Sequence, residues 1–335
     1  MKKSWFCMLL TVATFGAMSV CTAATILYPV VVNDRWGFIN KSGETVINPQ
    51  FDKADVFAEG LAPVKTGKWG YVDSSGKMAI NPQFDKAGGF SEGLAAVRLG
   101  SGGPAPFDPF GIAGGGRYGY INSEGKYVVN PQFDDAGTFS DGLAPVKMGK
   151  WGYIDKSGKV LINPQFDEAY SFSDNLAVIK SGGHFGYTDK EGKLAINPQF
   201  ERALPFSEGL AGIRTGGKWG FVDKTGKVTV NPQFDEVGSF VNGLAPARQK
   251  RWGYIDTTGK FVINPQFDEA AAFSEGLAAV RQSGHWGFVN PSGKMVINPQ
   301  FDEAASFTNA LAQVKVGGRT GYIDASGKYI WNPAK

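Results

Sequence analysis

Short apolar runs separated by polar turns fill almost the whole of this chain, and their alternation has the period of strands. Residues 143–175 show the pattern. Leu143-Ala-Pro-Val is one apolar run, Trp151-Gly-Tyr-Ile a second and Val160-Leu-Ile a third. Gly149-Lys150 reads as a turn between the first two. Asp155-Lys-Ser-Gly158 reads as a tight hairpin in which Gly158 takes the left-handed conformation that a type I turn with a bulge requires. Pro164 is expected to end the third strand, since it donates no ladder hydrogen bond. Phe166-Asp-Glu-Ala and Phe172-Ser-Asp then form a return segment carrying a short fourth strand or a helical turn. The prediction is a three-stranded meander with a looped return. Along the middle strand Trp151 and Tyr153 project to one side, Gly152 and Ile154 to the other. Both sides are substantially apolar, as packing of unit on unit demands, and Gly152 lets a neighbouring backbone or ring approach closely.

The unit recurs. Asn-Pro-Gln-Phe begins at Asn48, Asn81, Asn130, Asn163, Asn197, Asn231, Asn264 and Asn298, at intervals of 33, 49, 33, 34, 34, 33 and 34, and a further 34 residues lead to Asn332-Pro333. A fixed pitch of this size marks a repeat architecture, so a residue present in every unit is first a building element. Trp36, Trp69, Trp151, Trp219, Trp252 and Trp286 are accordingly assigned to the repeat core, with Tyr118, Phe185 and Thr320 as departures from that column. Two columns of Phe accompany them, Phe51 through Phe301 and Phe57 through Phe307. Each large ring contributes about 1.5–3 kcal/mol when buried. An isolated meander is too small to be stable, and a stack shares these rings between neighbours.

Lys150-Trp-Gly-Tyr-Ile-Asp155, Gly158-Lys159, Asn163-Pro-Gln-Phe-Asp167 and Phe172-Ser-Asp-Asn-Leu-Ala177 resemble the bacterial WG (KWG) β-repeat family. Many positions recur together over eight units and a partial ninth, not the Trp-Gly pair alone. The resemblance implies a β-rich repeat module that mediates binding. It brings no catalytic residues to carry over.

Such meanders either stack as an open superhelix or close as a propeller. Leu27 to Val32 corresponds to the first strand of a unit, and the last unit stops after Tyr329-Ile-Trp-Asn332 without its return segment. Nothing then completes the last unit with a strand from the N-terminus. The fold class expected is therefore all-β, an open solenoid of 33–34-residue three-stranded repeats, with a closed β-propeller as the alternative.

Composition refines this in two places. Lys2-Lys3, the apolar stretch Trp5 to Val20 and the small residues around Cys21-Thr-Ala-Ala24 read as a signal peptide over residues 1–24, leaving 25–335 as the array. The apolar stretch is short for a membrane span, so no integral span is expected after cleavage. Acylation at Cys21 is disfavoured by the bulky Val20 before it. The expected location is secreted or periplasmic. Cys7 and Cys21 are the only cysteines and both fall within the leader, so the mature chain is expected to have no disulfide and no thiolate metal site. Thirty-four basic against 31 acidic residues give no nucleic-acid-binding excess.

Chemistry is faint by comparison. Lys65, Arg98, Lys147, Lys180, Arg214, Arg248, Arg281 and Lys315 form a basic column. Asp52, Asp85, Asp134, Asp167, Glu201, Asp235, Asp268 and Asp302 form an acidic one. Both read as charge ladders between units. Carboxylates copied into every unit give no reason for one pair to have separated pKa values, as acid–base catalysis needs. His184 and His285 replace a turn Lys about three units apart, without metal-ligand spacing. No catalytic residue, metal or cofactor is assigned. The pattern breaks at 99–117, where one unit grows by 16 residues. Phe107 and Phe110, with Asp108 between them, and Arg117 at its end are the candidate binding residues, because insertions into repeats emerge as loops on one face. The function expected is a non-enzymatic scaffold for a protein or cell-envelope partner. The alternative is a carbohydrate-binding protein or glycan-active enzyme using exposed aromatics and carboxylates.

Overall fold

The computed structural model describes residues 26–100 and 116–332. The expected leader, and Phe107, Asp108 and Phe110 of the insertion, lie outside them. In the specimen unit the strands are β1 (Asp135–Ala136), β2 (Leu143–Met148), β3 (Lys150–Asp155) and β4 (Val160–Phe166), antiparallel and in that order across one sheet. Eight sheets among the described residues have this four-stranded order. A ninth, the first in the chain, has three strands, Tyr28–Val32, Arg35–Ile39 and Thr45–Phe51. The return segment of each sequence unit therefore does supply a fourth strand, but to the next sheet.

The repeated sequence follows from one distortion. In β3 and β4, Trp151 opposes Phe166 and Tyr153 opposes Ile162, so Gly152 alone faces Asn163-Pro164-Gln165. Two extra residues on one strand make a bulge that needs room. A β-carbon on Gly152 would sit 2.4 Å from the Ile162 carbonyl oxygen and 2.8 Å from the Pro164 nitrogen. The strand also runs through Pro164 to Phe166, beyond the stop expected at Asn163. β4 is the sheet edge, where a missing N–H at a bulge costs no ladder bond and discourages pairing with other chains.

The hairpin between β3 and β4 is closed from the side chain. Asp155 Oδ1 accepts hydrogen bonds from the Ser157 amide (2.9 Å), the Ser157 hydroxyl (2.6 Å) and the Lys159 amide (3.0 Å). Gly158 has φ +87°, and a β-carbon there would press on Val129 of the preceding sheet. Asn40, Asn122 and Asn290 make the same amide contacts in other units.

Each core lies between successive sheets. Leu143, Tyr153, Ile162 and Phe166 of one sheet pack with Phe172, Ala177 and Ile179 leading into the next. Eight times a return-segment Phe meets the middle-strand Tyr or Phe of the preceding sheet, with ring centroids 4.7–5.1 Å apart. Where that partner is Tyr, as in Tyr71, Tyr120, Tyr153, Tyr187 and Tyr254, its hydroxyl donates to a carbonyl of the same return segment. Burial holds these phenols far above their ordinary pKa. The return turns also bond to one another in series. Ser140, Ser173, Ser207 and Ser274 donate to the Phe172, Phe206, Phe240 and Phe307 carbonyls. Glu59, Glu92, Asp174, Glu208 and Glu275 accept from amides of the following turn.

The expectation of an open solenoid is overturned. The nine sheets close as a nine-bladed β-propeller. Tyr28, Val30 and Ile39 of the first sheet form one buried cluster with Leu311 and Tyr322 of the last. Tyr28 stands where the eight other units have Ala62, Ala95, Ala144, Ala177, Ala211, Ala245, Ala278 and Ala312. Its ring reaches Tyr322 at 5.6 Å, the place a return-segment Phe takes elsewhere. The Tyr322 hydroxyl donates to the Pro29 carbonyl (2.8 Å), and the Tyr28 hydroxyl donates to the Asn309 carbonyl. Closure thus needs no exchanged strand. Side chains of the first and last sheets make the contact, Tyr28 foremost among them.

Tyr28→Ala is expected to cost about 3 kcal/mol or more, as loss of a buried ring does, while Tyr28→Phe costs about 1 kcal/mol for the hydroxyl bond. Denaturant midpoints of both variants check this, and an Ala variant within 1 kcal/mol of the parent would show that the seam does not hold the ring. The turn aspartates Asp73, Asp155, Asp223 and Asp256 are held below their ordinary value of 3.8, first of all by the following Ser or Thr hydroxyl. A depressed folded value means stabilisation that is complete above the ordinary value and lost as pH falls through the folded one. Replacing all four by Asn, which keeps the amide contacts, is expected to leave the neutral denaturation midpoint nearly unchanged and to move acid unfolding to lower pH. Circular dichroism against pH reads both, and an unmoved acid midpoint would contradict it.

Candidate binding surface

Arg117 opens a strand (Arg117–Ile121) that pairs with Ala95–Leu99 across the insertion, so the ladder on both sides of the extra residues is intact. Its guanidinium pairs with Asp134. That pair belongs to a row: Arg35–Asp52, Lys68–Asp85, Lys150–Asp167, Lys218–Asp235 at 2.6 Å and Arg251–Asp268 at 3.2 Å. The second oxygen of Asp52, Asp134, Asp167 and Asp235 accepts an amide from the next unit's turn, at Gly67, Gly149, Gly182 and Lys250. Each aspartate so joins two successive turns. Asp52 is held low chiefly by the Gly67 amide, and Asp167 and Asp235 chiefly by Lys150 and Lys218. Arg117 is committed to this clamp.

The basic column takes different partners from those its neighbours in sequence suggest. Lys180, Arg248, Arg281 and Lys315 pair with Glu168, Glu236, Glu269 and Glu303 on the two-residue strand beside them, at 2.7–2.9 Å. On the other side each cation lies opposite the Trp column, Arg248 against Trp252 and Arg281 against Trp286. The Trp residues themselves are half-buried, packed against the inter-sheet clusters with one edge open. Arg248 lies over the Trp252 ring at 5.8 Å and Lys180 over Phe185 at 5.3 Å. Cations near a ring face gain about 0.5–1 kcal/mol at exposed sites.

One stretch departs from these ladders. Along the sheets of residues 168–200, 202–234 and 236–267 lies a cleft of about 630 Å³, lined by Tyr170, Phe185, Arg202, Arg214, Trp219, Asp235, Glu236 and Arg248 among others. Phe185 is buried where other units carry a half-buried Trp, which removes ring bulk from the rim. Tyr170 is 45% exposed and takes a position held elsewhere by Asp55, Gly88, Gly137, Ala271 or Ala305. Arg202 replaces the glutamate of the neighbouring units and lies directly opposite Arg214. Among the described residues no carboxylate lies within ion-pairing distance of Arg202, and Glu201 meets Arg214 only at 3.8 Å. Asp235 and Glu236 are paired with Lys218 and Arg248, which leaves Arg202 and Arg214, beside the Tyr170, Phe185 and Trp219 rings, as a site for an anionic group carried on a flat or apolar body. The sequence reading missed it, although the Glu168-Arg202-Glu236 break in the column was visible. Among the described residues no cluster of His, Cys, Asp and Glu is placed to hold a metal ion, and no helix is long and apolar enough to cross a membrane.

The WG containing repeat matches residues 36–68, 69–101, 118–150, 151–183, 185–219, 219–250, 252–284 and 286–319. The chain belongs to this repeat family. Among curated proteins none matches its sequence. In structure it is similar to a chain described as the eukaryotic initiation factor, at 12% identity with a TM-score of 0.60, covering 92% of this chain and 97% of that one. It also matches the dihydro-heme d1 dehydrogenase NirN at 11% identity and a TM-score of 0.47, covering 92% and 72%. At such identity the first likeness speaks for the fold alone.

Within the WG repeat, the cleft is a place where the ladder works against stability. Like charges directly opposite each other across two strands are unfavourable. Arg202→Glu restores the pairing of the neighbouring units and is expected to stabilise the chain by about 0.5 kcal/mol, less at high salt. Thermal melts at two salt concentrations test this, and a destabilised variant would mean that Arg202 already has a compensating partner.

Proposed function

We propose that this WG repeat protein is a secreted or periplasmic, non-enzymatic scaffold that holds an acidic partner protein of the cell envelope in the cleft at Arg202. Arg202, which has no close ion pair among the described residues, lies opposite Arg214 and is flanked by Tyr170 and Trp219, and this is the observation that carries the reading. Arg, Tyr and Trp are the side chains that concentrate binding energy at protein interfaces. A guanidinium pair gives an acidic surface steering and register as well as contact. The basic, apolar and small-residue order of residues 1–24 supports export.

Affinity capture from envelope extract, with the parent chain and Arg202→Glu side by side, tests the proposal. The parent is expected to retain a partner that the variant loses at least tenfold, with retention falling as salt rises. Equal capture by the two chains would sink the cleft as the contact. If acidic glycans quench tryptophan fluorescence in the parent while no protein is retained, the carbohydrate-binding reading replaces this one.

A further inference from the structure

The repeated Asn-Pro-Gln-Phe carries two side chains for which the fold has no use. Along β4 burial alternates: Ile162 and Phe166 are buried, while Leu161, Asn163 and Gln165 are exposed on the other side. The bulge requires Gly152, whose close neighbours are backbone atoms of Ile162, Asn163 and Pro164, and a backbone is supplied by any residue at 163. Phe166 fills the core. All sixteen Asn and Gln side chains of the eight copies are exposed. Among the described residues only Gln300 of these sixteen makes a side-chain hydrogen bond, to the Asn298 carbonyl at 3.4 Å.

Yet the pair is identical in all eight copies, whereas exposed positions beside it are not. Two residues before the Asn stand Val46, Ala79, Leu161 or Thr229, and the second residue of the hairpin turn is Ser123, Lys156, Thr257 or Pro291. The copies have diverged at their surface, so duplication alone does not keep sixteen amides. Side chains that are exposed, without a structural bond and without variation point to a contact outside the chain.

Charge narrows the kind of contact. The Asn and Gln of one copy lie about 7 Å apart along the strand, between two rows of charge that are already balanced. At the hairpin end Lys159 stands close enough to Asp155 to favour its ionised form, and Lys77, Lys227, Lys260 and Lys328 do the same for the aspartates of their own turns. At the other end Asp167 is clamped to Lys150. The band between carries no Trp, Tyr or Arg, the anchors that concentrate energy in protein interfaces. Its proline withholds an N–H from any strand that would add to the edge. An amide side chain both donates and accepts, as a sugar hydroxyl does.

We propose that the Asn-Pro-Gln edges bind a neutral polysaccharide, successive sheets holding successive stretches of one polymer through their side-chain amides. A polymer of repeating hydroxyls matches a surface of repeating amides. Each contact is weak, and their number along the ring supplies the affinity. This surface is separate from the Arg202 cleft and uses no charge, so failure of either leaves the other standing.

The test is retardation of the full chain in native gels that contain mannan, dextran or laminarin. At least one of these neutral polymers is expected to slow the parent, equally at low and high salt. N163A, Q165A, N197A, Q199A, N231A and Q233A together are expected to weaken the retardation about tenfold with the melting temperature unchanged. Arg202→Glu, which disables the cleft, is expected to leave it as it is. In the parent, oligosaccharides of the retarding polymer are expected to shift the Asn and Gln side-chain NH2 resonances. No retardation by any of the three polymers, equal retardation of the six-alanine chain, or loss of retardation at high salt overturns the proposal. So does a lowered melting temperature of the six-alanine chain, since the amides then have a structural task.

Discussion

The contact that everything else depends on is the approach of the Asn-Pro-Gln backbone to a residue with no β-carbon. At Gly152 the gap to the Ile162 carbonyl is too small for any side chain, and the same holds at Gly37, Gly70, Gly119, Gly186, Gly220, Gly253 and Gly287. The bulge it permits turns the end of β4, so that Phe166 enters the inter-sheet core while Asp167 starts the next sheet. Trp-Gly and Asn-Pro-Gln-Phe are therefore two halves of one device. Either half without the other would leave a clash or an unfilled bulge, which is why the two motifs keep step along the chain.

From that device the sharing of cores follows. No sheet encloses its own aromatic rings; each lends Tyr153-type rings forward and receives the following Phe. A structure built this way has unsatisfied ends unless the ends meet. At the seam several columns are altered: Tyr28 replaces the alanine, Val31 the basic residue, Thr320 the tryptophan, and Trp331 the Ile or Val of other units. The phenol of Tyr322 finds Pro29 where its counterparts find return-segment carbonyls. Hydrophobic burial drives the closure, and the two hydroxyl bonds set its register.

This explains what could be read from the residues and what could not. Period, strand limits near Leu143, Trp151 and Val160, the left-handed Gly158 and the charge ladders are local, and local chemistry specifies them. Closure is not local. Tyr28 and Tyr322 are almost 300 residues apart, and a ring can close without completing its last unit with a strand. Side chains of the first and last sheets make the contact instead. Arg117 lies beside the insertion in sequence, and its pairing with Asp134 places it in the row of turn cations. The Arg202 cleft depends on a pairing between strands, Arg202 with Arg214, which a column of single residues does not display.

A ring of near-identical sheets has no preferred azimuth, so recognition of one partner at one place requires that the symmetry be broken. The breaks are few, and two of them are chemically unlike. At Arg202 the break adds charge and exposed aromatic surface at some cost to the ladder. At the seam the break is apolar: Tyr28 replaces the column alanine and Trp331 a smaller aliphatic residue, and both pack in the cluster that joins the first sheet to the last. The Tyr28 ring, bonded to Asn309 and set against Tyr322, thus makes the seam a matter of packing, whereas the break at Arg202 is one of charge.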